Sequence, residues 1–250
     1  MSGRQKVAMI MAEFIGTTVL AVAVYSMVAR TSFPMFAGLA AGLTAALFVI
    51  TVGNVSGAHL NPAVTVGLWA TRRVATSKAV VFVAAQMLGG IAALALIKYL
   101  VGQDVEALAS AKFEGKVFAA EAIGAFVFTF GVSAAILEKL SAGKTAVVVG
   151  GSLLLGILVA SLGSNGVVNP AVALGIKSWN WAYATGPLLG GILGFSFYGL
   201  MFNPDSFIAG SGIRLGFTKN TSSTVRKNKS SKALKATKST TRRSSRTTKK

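Results

Sequence analysis

The sequence predicts an all-α membrane protein: six transmembrane helices and two re-entrant half-helices, arranged as an inverted three-plus-three repeat. Three observations lead there. The 250-residue chain is 53% hydrophobic, with a mean hydropathy of +0.64 and 28 glycines, which is too apolar for a soluble domain of that length. Six runs are long enough to cross a bilayer, which takes about 20 helical residues. A short motif, Asn-Pro-Ala-Val, occurs twice, at 61–64 and at 169–172.

The elements follow in order. Residues 1–6 form a short N-terminal segment with Arg4 and Lys6, and the first run extends from Val7 to Ala29. Ala21-Val22-Ala23 looks like a leader cleavage site, but the run is too long for a leader core and Glu13 interrupts it, so the span is expected to be retained. The second run is Phe33 to Val55, and the first Asn-Pro-Ala then opens a half-helix over 61–70. The third, Ala79 to Val101, closes a first repeat spanning 7–101. A mixed loop, 102–116, carries Asp104, Glu106, Lys112, Glu114 and Lys116. The second repeat, 117–202, holds runs at Val117 to Leu137, Thr145 to Leu162 and Trp181 to Phe202, with a half-helix over 169–176. A soluble core fails as an account, because six such runs leave too little polar surface to coat a particle in water.

Charge is unevenly placed. The net charge is +18, yet residues 219–250 hold 12 Lys or Arg and no acid, leaving a nearly neutral apolar body, a post-membrane segment at 203–218 and a basic tail. The tail is Ser- and Thr-rich and cannot bury a core, so disorder is expected. Anionic lipid is its expected partner. Nucleic acid is the weaker alternative, since no aromatic side chain follows Phe217 to stack on bases. Arg72, Arg73, Lys78, Lys139, Lys144 and the tail fall on the same side as Arg4 and Lys6. The excess of basic loops then puts both termini in the cytoplasm, and the expected location of this integral membrane protein is the plasma membrane.

Internal repetition explains the motif. Ala12-Glu13-Phe14-Ile15-Gly16 matches Ala120-Glu121-Ala122-Ile123-Gly124 at the offset of 108 that also separates Asn61 from Asn169. Leu88-Gly89-Gly90 resembles Leu189-Gly190-Gly191 at an offset of 101. Three spans per half make the halves inverted, which puts short broken helices together at the membrane midplane. Pro62 and Pro170 suit a first helical turn, where the missing N–H has no partner to lose. Asn61 and Asn169 then fall at N-caps. Ala63 and Ala171 complete the two centres. Non-helical backbone at membrane depth is tolerated only inside protein or along a water-filled cavity.

With these motifs in view, the sequence resembles the aquaporin and aquaglyceroporin family, the major intrinsic proteins. The likeness covers about residues 7 to 202 and rests on the two Ala-Glu-x-Ile-Gly openings, SGAHLNPAV, AQMLGG from Ala85 to Gly90, and VVNPAV. It implies a homotetramer with one passage per subunit, conducting water or small neutral solutes. The asparagine amides would orient the permeant, and paired half-helix dipoles would oppose cations. Glu13 and Glu121 would support the half-helix loops, with a proton-coupling site as the competing role. His59 and Gln86 would join that support. Gly16, Gly89, Gly124 and Gly190 would permit close helix crossings.

The sequence departs from the family at the outer constriction. Ala41, Ile157, Gly166 and Val172 stand where water-selective relatives carry an aromatic residue, a histidine and, at the last position, an arginine. The expected ring is wide and apolar, open to glycerol, urea or ammonia as well as water. An inverted-repeat transporter and a non-conducting structural protein are the alternatives. Cysteine is absent, which excludes a disulfide framework and thiolate metal or nucleophile chemistry. No metal, cofactor or catalytic residue is expected.

Overall fold

The computed structural model describes residues 2–205 and 207, and all regular structure among them is helical. Among the described residues eight helices are bounded: α1 (Gly3–Val28), α2 (Pro34–Val52), α3 (Pro62–Ala70), α4 (Thr76–Val101), α5 (Gly115–Leu137), α6 (Ala142–Ala160), α7 (Pro170–Gly175) and α8 (Trp181–Phe202). Six of these are long and apolar enough to cross a membrane, while α3 and α7 are too short. The expected tail, 219–250, and most of the expected post-membrane segment lie outside the described residues.

Local chemistry sets the ends. The Ser2 hydroxyl accepts from the Gln5 N–H and the Gln5 side chain accepts from the Ser2 N–H, a reciprocal cap that starts α1 four residues before the apolar run. Pro34, Pro62 and Pro170 occupy first turns. Asn180 caps α8 by accepting from the N–H groups of Ala182 and Tyr183. Gly102, at φ 74°, stops α4 in a left-handed turn that a side chain would strain. The second half-helix ends one residue earlier than expected, with Ile176 as its C-cap.

Packing follows the repeat. Within the first half α1 lies against α2 and α4, and within the second α5 lies against α6 and α8. The halves join through α2 against α6 and through an exchange: α3 packs on α8, and α7 packs on α4. Glycine makes that exchange possible. A Cβ on Gly90 would strike the Ala171 carbonyl, and one on Gly191 would strike the Ala63 carbonyl. Side chains such as Leu43 and Val147, at 69% and 74% exposure, form the outer apolar face suited to lipid.

The connecting loop is stitched down rather than loose. Lys177 Nζ donates to the Val105 carbonyl at 2.7 Å, Asn165 Nδ2 to the Leu108 carbonyl at 2.8 Å, and Asn180 Nδ2 to the carbonyls of Ser110 and Lys112. Beneath it lies a cavity of about 340 Å³, walled in part by Glu114, Ser164, Asn165 and Tyr183.

Candidate functional site

Two segments of unwound chain, one before each half-helix, meet at the centre of the molecule. Their backbone is left-handed at matching points: φ is 48° at Ala58 and 63° at Gly166, 51° at Leu60 and 47° at Val168. Outside glycine such angles cost free energy and persist only where surroundings enforce them. The enforcing groups are two buried carboxylates.

Glu13, on α1, is fully buried. Its Oε1 accepts from Ser56 Oγ at 2.6 Å and from the His59 N–H at 3.0 Å, and its Oε2 from the Leu60 N–H at 2.8 Å. Glu121, on α5, does the same for the second segment, accepting from Ser164 Oγ at 2.7 Å and from the N–H groups of Val167 and Val168 at 2.9 and 2.6 Å. Each partner is displaced by 108 residues from its counterpart. Backbone N–H groups that would otherwise be orphaned at membrane depth are therefore satisfied by one side chain per half.

The halves differ in what supports the carboxylate. Gln86 Nε2 donates to Glu13 Oε2 at 2.7 Å and to Thr65 Oγ1 at 2.9 Å, and the Thr65 hydroxyl lies 3.0 Å from His59 Nδ1. In the second half Val167 and Ala173 replace His59 and Thr65 at the 108-residue offset, and Pro187 replaces Gln86 at 101. The polar lattice of the first half has no copy in the second.

Asn61 and Asn169 are each 2% exposed. Asn61 Oδ1 accepts from the Ala63 N–H at 2.8 Å, and Asn169 Oδ1 from the Ala171 and Val172 N–H groups at 3.0 and 3.3 Å, so both cap their half-helices. Their amide groups reach across the repeat boundary. Asn61 Nδ2 donates to the Val168 carbonyl and Asn169 Nδ2 to the Leu60 carbonyl, both at 2.9 Å. Pro62, Ala63, Pro170 and Ala171 are buried behind them. The Val168 and Leu60 carbonyls thus each accept one bond from the opposite half.

The four constriction positions are closely packed. Ala41, Ile157 and Val172 are each only 2% exposed and Gly166 is buried, so little of them is accessible to a water-sized sphere. The physical reason lies in the backbone. Gly42 and Gly150 let α2 and α6 approach until a Cβ on either would strike the other's carbonyl, and a Cβ on Gly38 would lie 3.5 Å from Ile157.

Ser56, Ser164 and Thr65 are site residues that sequence reasoning passed over. The two serines stand five residues before each asparagine, so the repeat itself marks them. Among the described residues no cluster of His, Cys, Asp and Glu could hold a metal.

Comparison with known proteins gives the chain's family and fold. A family profile described as Major intrinsic protein matches residues 2–198. Aquaporin-4 of Bos taurus is 33% identical over 179 residues, covering 66% of this chain and 55% of the relative. Aquaporin NIP6-1 of Arabidopsis thaliana is 29% identical over 209 residues, covering 78% of this chain and 68% of the relative. The chain thus matches about half the length of the first of these. Among solved structures, the aquaglyceroporin from Plasmodium falciparum matches 80% of this chain and 98% of its own, with a TM-score of 0.67 at 20% identity, a likeness of fold.

Proposed function

The chain belongs to the major intrinsic protein family, and from that premise we propose that it is a passive transmembrane channel for water and small uncharged solutes. The observation that carries this reading is the reciprocal pairing of Asn61 with Val168 and Asn169 with Leu60 at 2.9 Å. It holds two half-helix N-termini face to face at the depth where a permeant crosses. An amide nitrogen has two hydrogens, so each asparagine keeps one to offer after the cross-repeat bond is made. Facing N-termini also oppose a cation, which would lose its hydration there without gaining a partner.

Selectivity in this reading falls on Ala41, Ile157, Gly166 and Val172. They supply neither a fixed charge nor a side-chain hydrogen-bonding group, and an apolar ring of that kind passes water poorly when narrow. Their burial favours low water conductance, or a closed resting state, over free flow. Proton exclusion rests on the asparagines and dipoles alone, without a guanidinium at Val172. Glu13, Glu121, His59 and Gln86 act as supports, because every hydrogen bond recorded for them goes to the loop, the half-helix or one another.

Further parts of the reading are a homotetramer in the plasma membrane with cytoplasmic termini, and a basic tail held near anionic lipid by about 1 kcal/mol per basic residue close to the surface. Stopped-flow light scattering of proteoliposomes tests the function. Shrinkage under an impermeant osmolyte reports water, and re-swelling under glycerol or urea reports solute. Saturable, ion-driven uptake would instead identify a transporter, and the absence of all flux a structural protein.

A further inference from the structure

The 108-residue offset extends beyond the asparagines to the constriction. Ile157, Gly166 and Val172 map back to Val49, Ala58 and Val64, and Ala41 maps forward to Val149. The structure preserves these equivalences. Ala58 and Gly166 share a left-handed backbone, and each N–H donates at 2.9 Å to the serine two residues before it. Ala58, Val64 and Val149 are buried, and Val49 packs half-buried against the apolar cluster that contains Val64, Val149, Ala41, Ile157 and Val172.

Helix geometry then separates the two sets. Positions 41, 45 and 49 recur every four residues along one face of α2, as 149, 153 and 157 do along α6. The two helices run antiparallel, with Gly38 beside Ile157 and Gly42 beside Gly150. Ile157 therefore lies toward one end of the contact and Val49 toward the other, while Ala41 and Val149 each stand one residue from the Gly42–Gly150 crossing. Val64 and Val172 each stand three residues into a half-helix, on opposite sides of the asparagine pair.

We infer that Val49, Ala58, Val64 and Val149 form a second selectivity constriction, on the far side of the asparagines from the first. The inference rests on the channel reading above. Neither ring presents a polar side chain, so a permeant surrenders water partners twice and regains them only at the centre. Solutes with few hydrogen-bonding groups for their size are favoured by both rings. Resistances in series add, so neither ring alone governs flux.

The test measures osmotic water permeability of proteoliposomes carrying Val64→Thr, Val149→Thr, Val172→Thr or the Val64→Thr/Val172→Thr pair, each adding one hydroxyl to a ring. If the rings contribute equally, each single variant raises permeability by no more than about twofold and the pair raises it well beyond that, because the untouched ring stays in series. Val172→Thr giving the whole gain of the pair, with Val64→Thr and Val149→Thr at the wild-type level, overturns the second constriction and leaves the channel standing. No water or solute flux through any protein, wild type included, overturns both. A second measurement guards against misfolding. The chain has no cysteine, so Val64→Cys and Val149→Cys give unique thiols. Methanethiosulfonate modification, verified by mass spectrometry, lowers flux in both if they line the passage; unchanged flux overturns the inference.

Discussion

Asn61 and Val168 lie 107 residues apart in sequence and are joined by a 2.9 Å bond from an amide nitrogen to a carbonyl, which Asn169 and Leu60 repeat in reverse. These two bonds tie the halves together through four buried residues. Asn61→Ala and Asn169→Ala each strand one buried carbonyl and remove one helix cap, costing roughly 1–3 kcal/mol. Thermal unfolding in detergent should show two shifts of similar size. A loss confined to one variant would mean that the bonds are not equivalent.

Gln86→Leu takes donors from Glu13 and Thr65 at once, at a cost of about 1–3 kcal/mol. Leu189, two residues past the second-half counterpart of Gln86, is 41% exposed on the outer face, so Leu189→Ala should shift the unfolding midpoint much less. Equal shifts would show that Gln86 acts as bulk and not as a donor.

Gly90→Ala and Gly151→Ala separate two effects of the same change. A Cβ at Gly90 meets the backbone of Ala171, so overpacking should cost about 1–3 kcal/mol. Gly151 has nothing within 4 Å, and alanine there should gain about 0.5–1 kcal/mol from helix propensity. Opposite shifts in the unfolding midpoint are the expected result.

Val172→Arg introduces a fixed positive charge and a fork of donors into the outer ring. Dissipation of an imposed pH gradient across vesicles should slow, and glycerol flux should fall. Faster proton leakage in the variant would count against Val172 facing the passage.

Lys98 and Asp104 pair at 2.7 Å on the surface, and the lysine's hydrogen bond and charge hold the Asp104 carboxyl below its usual range. A depressed carboxylate stabilises the fold above its unfolded pKa and loses that contribution as pH falls through the folded value. Asp104→Asn should therefore differ from wild type near neutral pH and converge with it under acid, below the ordinary aspartate range. High salt should shrink the difference, as expected for an exposed pair.

Much of this was legible in the sequence because it depends on pattern. The six spans follow from apolar runs, the inversion from an odd number of spans per repeat, and the caps from Asn-Pro at equivalent places. Span ends were less legible. Hydropathy marks where lipid begins, while α1 starts earlier because Ser2 and Gln5 cap it. The packing around the constriction residues was less legible for a related reason. Losing an aromatic ring and an arginine makes room only if the backbone stays put, and the Gly42–Gly150 approach depends on how two helices choose to pack. The Asn61–Val168 bond also escaped, since nothing local in either segment announces a partner in the other half.

The two free amide hydrogens at the centre set a valence. Asn61 and Asn169 each commit an oxygen to a cap and one hydrogen to the opposite loop, leaving a pair of donor hydrogens, one on each amide. One oxygen atom with two lone pairs satisfies that pair completely. In the channel reading, water, an alcohol or a urea carbonyl can accept from both, and ammonium, which has no lone pair, can accept from neither.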